Sequence, residues 1–181
     1  MGLSLISSTG AISGSTADVE ITNLDAGTYK ALEFHFYDLH PSAAYADFEF
    51  QVNTSYNQNI NSTAMRFWAH DNTSHSNSVG YQSSADQHVG ASSGTWCCLS
   101  ETVNSGNAEN SLSGVMTLYD PASTTYVKHF ISKTDTQTSS TYQQYTQVAG
   151  YVDTTSAVDK IKFRFGSGNI DSGMIKVFGY S

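Results

Sequence analysis

The chain has 181 residues, 13% of them charged and 12% aromatic, and a formal net charge of -8. That length suits one domain whose core needs no disulfide or metal staple. An acidic chain without a basic cluster repels phosphate backbones, which excludes nucleic acid as a partner, and no apolar run approaches the ~18 residues of a membrane span, so no membrane insertion is expected.

With so few charges, solubility must come from the Ser, Thr, Asn and Gln between the apolar runs, a composition common in proteins that work outside cells or in particles. The opening MGLSLISSTGAIS has neither the basic leader nor the apolar core of a secretory signal. Cys97 and Cys98 are adjacent and are the only cysteines. Neighbours rarely reach disulfide geometry, and in a strand they point to opposite faces, so one is expected buried and the other exposed. Free thiols suit assembly in a reducing cytoplasm.

In chain order, Leu3 to Ile6 opens the chain and Ala17 to Thr22 alternates like an edge strand. Tyr29 to Leu39 places Leu32, Phe34 and Phe36 on an inner face, and Tyr45 to Val52 does the same with Phe48, Phe50 and Val52. With Pro41-Ser42-Ala43-Ala44 between them, these two runs read as a hairpin. Ala64 to His70 is another strand, with Phe67 expected inward. Asp71 to Ala91 is a long polar loop holding His75, Tyr81 and His88, and loops of that length are functional or mobile. A short strand around Thr95 to Leu99 leads through a second loop into the central stretch SLSGVMTLYDPASTTYVKHFIS. There, Val115 to Tyr119 and Thr124 to Ile131 flank Asp120-Pro121-Ala122-Ser123, a type I turn signature. Ser132 to Ser140 reads as a Thr/Ser-rich tip. Tyr142 to Val152, Val158 to Phe165 and Met174 to Tyr180 complete about ten strands. The pattern predicts one all-β domain over residues 1–181, an antiparallel β-sandwich of jelly-roll type. Its inward core is expected to include Leu32, Phe34, Phe36, Phe48, Phe50, Phe67, Phe163 and Phe165.

Few residues suggest chemistry. Asp47 and Glu49 share a strand face at a spacing of ~7 Å, which a glycosidase can use, but nothing nearby in sequence raises one pKa, and a solvated face is the better reading. His70, Asp71 and His75 have metal-ligand character, yet in a polar loop they read better as hydrogen-bonding surface residues, so no cofactor is expected. Lys160, Lys162 and Arg164 alternate with apolar residues and read as the solvent face of a strand. Trp68, Trp96 and the tyrosines offer sugar-stacking platforms, although filling the core and oligomer contacts is the favoured use. The candidate contact or ligand residues are therefore His70, Asp71, His75, Tyr81, His88 and Trp96.

The opening MGLSLISSTGAIS, the run ALEFHFYDLHPSAAYADFEFQVNTS, the central LSGVMTLYDPASTTYVKHFIS and the closing IKFRFGSGNIDSGMIKVFGYS resemble a family of small virion-associated proteins of tailed phages, especially marine and cyanobacterial ones. The closing turn followed by Gly-Met-Ile-Lys-Val-Phe-Gly is the most specific part, and only Asn72 to Ala108 departs freely. The resemblance implies a non-enzymatic structural module on the particle surface: a capsid decoration or cement protein, or a fibre subunit. Its partners would be other virion proteins and further copies of itself, with a trimer favoured. The alternative is a carbohydrate-binding module that recognises a host-surface glycan, and more distant is a hydrolase using Asp47 and Glu49.

Overall fold

The computed structural model describes residues 2–24, 26–53, 55–70, 77–87, 95–139 and 142–181. Thirteen strands run through them: β1 (Leu3–Ser8), β2 (Ile12–Thr16), β3 (Asp18–Thr22), β4 (Ala31–Pro41), β5 (Ala46–Val52), β6 (Ile60–His70), β7 (Ser78–Tyr81), β8 (Cys97–Val103), β9 (Leu112–Tyr119), β10 (Lys128–Ser139), β11 (Tyr142–Val152), β12 (Lys160–Phe165) and β13 (Ile170–Tyr180). A single 3-10 turn, Ser83–Ala85, follows β7.

The strands form two antiparallel sheets packed face to face, the sandwich that the alternating apolar runs predict. Nine strands make the larger sheet, in the order β1-β13-β4-β9-β10-β11-β6-β7 with β2 also paired to β13, and four make the smaller, β3-β12-β5-β8. Successive strands cross between the sheets at β2–β3, β3–β4, β4–β5, β5–β6, β7–β8, β8–β9, β11–β12 and β12–β13. The predicted β4–β5 hairpin is therefore corrected. Both strands have a fully apolar inner face, and these faces oppose each other across the gap, with Phe36 and Phe48 edge to face at 5.0 Å.

Phe163 lies among Phe34, Phe36 and Phe48, with ring centroids at 5.5, 5.1 and 5.8 Å. Leu32, Phe34, Phe36, Phe48, Phe50, Phe163 and Phe165 are all buried as expected, but Phe67 is not: it is 37% exposed. The reason is parity. β6 begins at Ile60, earlier than expected, and Ile60, Ser62 and Ala64 point inward. Arg66, Trp68 and His70 follow on that same face, and Phe67 must point out.

The central hairpin forms in the expected order, β9 against β10 with Phe130 opposite Leu118. Ser123 N donates to Asp120 O at 3.0 Å across the Pro turn, but the connection is longer than that turn, since β10 starts only at Lys128. The supposed tip after Ile131 is strand. β10 runs on to Ser139, with Ser132, Thr134 and Thr136 buried. Thr is β-branched and suits a strand. Its hydroxyl makes burial possible here, because Thr134 Oγ1 donates to Leu99 O at 3.1 Å and Thr136 Oγ1 to Ser111 O at 3.0 Å.

Lys128 is also fully covered. Its ammonium donates to the carbonyls of Tyr126 (2.7 Å) and Thr154 (3.1 Å), tying two loops together. Burial lowers its pKa, with Asp120 opposing. Both cysteines are buried, against the expectation of one on each side. Burial pushes the Cys97 thiol up to about 12 and raises Cys98 too. On β11, Gly150 passes β6 so closely that a Cβ would run into the Asn61 carbonyl, a place where only glycine fits.

Candidate functional site

Of the six residues singled out from the sequence, His70, Tyr81 and Trp96 are among the described residues. His70 is the last residue of β6 and meets the Tyr142 ring edge-on at 4.0 Å, beside a hollow of about 260 Å³ that it shares with Ala69, Asp135 and Gln143. Asp71, His75 and His88 lie outside the described residues. Tyr81 closes β7 on the outer face of the large sheet, 64% exposed, with its hydroxyl bonded to Asp86. Trp96 is on the outer face of the small sheet, its ring stacked near Tyr56 at 6.3 Å and covered by the Arg164 guanidinium at 4.0 Å. The structure does not bring His70, Tyr81 and Trp96 together.

The basic row Lys160, Lys162 and Arg164 is a strand face, as read from the alternation, and two of its cations are paired: Lys162 with Asp18 at 3.3 Å and Arg164 with Glu49 at 3.0 Å. Burial raises the Glu49 pKa and Arg164 opposes that. The other carboxylate of the pair, Asp47, accepts from Thr102 N at 3.0 Å. Both carboxylates are thus engaged in linking strands of the small sheet, Glu49 to β12 and Asp47 to the edge strand β8.

A larger hollow lies elsewhere, where the large sheet overhangs β8, the edge of the small one. It has a volume of about 590 Å³, inside the roughly 300–1,000 Å³ of small-molecule sites. β6 supplies Arg66 and Trp68, β11 supplies Tyr142 and Gln144, and Thr138 of β10, Ser78 of β7, Thr102 of β8 and Tyr45 complete the wall. The register sets this out: Trp68 pairs with Gln144 across the β6–β11 ladder.

Gln144 is the hub of the floor. Its Oε1 accepts from Trp68 Nε1 at 3.0 Å and Thr102 Oγ1 at 3.4 Å, and its Nε2 donates to Glu101 O at 2.9 Å. The amide is fixed, and so is the indole edge. Arg66 lies over the Trp68 ring at 3.7 Å and donates from Nη1 to Glu101 at 3.1 Å, with both side chains about nine-tenths buried. The second Glu101 oxygen accepts from Ser84 Oγ at 2.7 Å. A guanidinium has five donors, and Arg66 Nε is buried without a partner among the described residues.

Two wall residues hold strained backbone. Tyr45 has φ 59° and Thr102 φ 57°. A β-branched or bulky residue there is a genuine outlier, and such strain, about 1–3 kcal/mol per residue, gathers at ligand clamps. Sequence reasoning reached Trp68 only as one of several aromatics and missed Arg66, Gln144, Thr102, Tyr45 and Tyr142 as a group. The available signal was the run Arg66-x-Trp68-x-His70 continuing the inner face of Ile60-x-Ser62-x-Ala64. Among the described residues no cluster of His, Cys, Asp and Glu is arranged to hold a metal, and no helix is long and apolar enough to cross a membrane. No protein-family model, curated protein or solved structure matches the chain.

Proposed function

We propose that this chain is a non-enzymatic structural module of a tailed-phage virion, of the capsid-decoration or head- or tail-fibre type, made in the host cytoplasm and carried on the particle surface. The sequence resemblance supplies the virion part of this reading. The observation that supports an assembly role is an apolar stripe on the outer face of the large sheet. Val79 and Tyr81 on the edge strand β7 stand opposite Phe67 and Met65 on β6, and all four are exposed. Tyr145 of β11 extends the stripe, its ring 5.8 Å from that of Phe67.

Contiguous apolar surface at a sheet edge marks a contact site, and a module repeated on a lattice gains affinity from many weak contacts acting together. A homo-oligomer follows from this, with a trimer as the state that fits a capsid threefold position or a fibre axis. Counting copies in purified particles tests the reading. Hundreds per particle correspond to decoration and a few dozen to a fibre, while absence from the particle overturns it. A clean monomer in solution that binds neither empty capsids nor tails would remove the assembly role. The alternative function, recognition of a host-surface glycan, is favoured by a different observation, the cleft above β8.

A further inference from the structure

We infer that the cleft walled by Tyr45, Arg66, Trp68, Thr102, Tyr142 and Gln144 is a binding site for a neutral saccharide. The inference holds whether or not the chain belongs to a particle. It starts from the shape of the molecule: the nine-stranded sheet overhangs the four-stranded one, so the inner faces of β6, β10 and β11 continue past the apolar core without a cover among the described residues. An uncovered inner face would normally be closed by apolar side chains. Here it is lined by aromatic rings and fixed polar groups, the composition of a ligand site.

The chemistry of the wall selects among ligands. Arg66 and Glu101 neutralise each other, and the remaining wall residues, Ser78 and Thr138 included, carry no charge. With a chain charge of -8, the surrounding field disfavours anions. The ligand therefore needs no charge. It needs apolar faces for Tyr45, Trp68 and Tyr142, and polar groups for the hydroxyls of Ser78, Thr102 and Thr138. A pyranose ring has both: C–H groups on its faces and hydroxyls around its rim.

The wall is also preorganised, which lowers the cost of binding. Gln144 locks the Trp68 edge, Glu101 and the Trp68 face lock Arg66, and Asp47 holds Thr102 in its left-handed conformation. Tyr45 stands 61% exposed at the rim and is also left-handed. Over a bound ring it would act as the clamp.

The test uses the full chain on an array of neutral and acidic oligosaccharides, followed by titration of the best neutral binder with tryptophan fluorescence as the readout. The expected result is saturable binding of neutral glycans that perturbs emission, with the perturbation kept in Trp96→Phe and lost in Trp68→Phe. Tyr45→Ala, at an exposed position, should weaken binding at least ~10-fold, as truncation of a central aromatic anchor does, without moving the melting temperature. Three results would overturn the inference: no neutral glycan bound, binding confined to acidic glycans, or affinity unchanged in both Tyr45→Ala and Trp68→Phe. Should Trp68→Phe fold poorly, Tyr45→Ala decides alone.

Discussion

Between β12 and β4 the gap between the sheets is filled by phenylalanine rings, whereas under β10, β11 and β6 the apolar Phe130, Val148, Val152, Ile60 and Ala64 give way along each strand to Ser132, Thr134, Thr136, Gln144, Thr146 and the Arg66–Glu101 pair. Both regions are interior and both are strand on strand. The first holds the sheets together by area removed from water and by ring contacts, which are non-directional and tolerant. The second holds them by directed bonds across the gap: Thr134 to the Leu99 carbonyl and Gln144 to the Glu101 carbonyl. Hydrogen bonds of this kind add little net stability but fix one geometry. The difference separates a stability end from a precision end, and the cleft opens from the precision end.

Truncation should expose this contrast most strongly at the stability end. Phe163→Ala removes a ring that touches three other phenylalanine rings and should cost about 3–5 kcal/mol, read as a lower urea midpoint. Next comes Glu101→Ala, which leaves the Arg66 guanidinium in the interior without its carboxylate. We expect a loss of up to about 3 kcal/mol, at the low end for a buried pair because this one borders the open cleft. The double variant Arg66→Met/Glu101→Leu should recover most of that loss. If it is as unstable as the single variant, the pair itself supplies net stability.

Alkali should weaken the fold through the buried thiols. The folded pKa of Cys97, pushed up to about 12 by burial, lies above its ordinary value of 9.0. Its contribution is fully present below pH 9 and is lost as pH rises toward 12, with a slope of about 1.4 kcal/mol per pH unit inside that window. Urea melts between pH 8 and 11 should therefore fall more steeply for the native chain than for Cys97→Ala, and parallel curves would contradict the assignment. Smaller still is Thr134→Val, which leaves the Leu99 carbonyl without its partner and should cost roughly 1 kcal/mol. Phe67→Ser, on the exposed stripe, should change stability by less than about 0.5 kcal/mol yet weaken self-association in sedimentation. A large stability loss there would mean that the face is covered within one chain.

The stability end was legible in the sequence, because Phe34, Phe36, Phe48, Phe50, Phe163 and Phe165 each alternate with polar neighbours and alternation is what a half-buried strand imposes. The precision end was not. Ser132, Thr134 and Thr136 point inward with the same alternation, but a polar residue on an inner face looks like a loop until its cross-sheet acceptor is known. Phe67 misled for the complementary reason: its side chain is apolar, yet its parity on β6 sends it outward. The cleft depends on Trp68 lying opposite Gln144, 76 residues later, and no local pattern encodes that register. Trp96 and Tyr81 were read as companions of His70 from composition alone, while the fold assigns them to two different outer faces.

In the virion role we propose, the sandwich would attach through its outer surface and leave the cleft end accessible. A map of the intact particle resolved well enough to place single domains tests it directly. The account predicts symmetry-related copies of the sandwich on the particle surface, with the Met65–Phe67–Val79–Tyr81 stripe against a neighbour and the Trp68 cleft open to solvent. Particles that contain no copy of the chain, or copies whose stripe is bare while the cleft is filled by another virion protein, would contradict it.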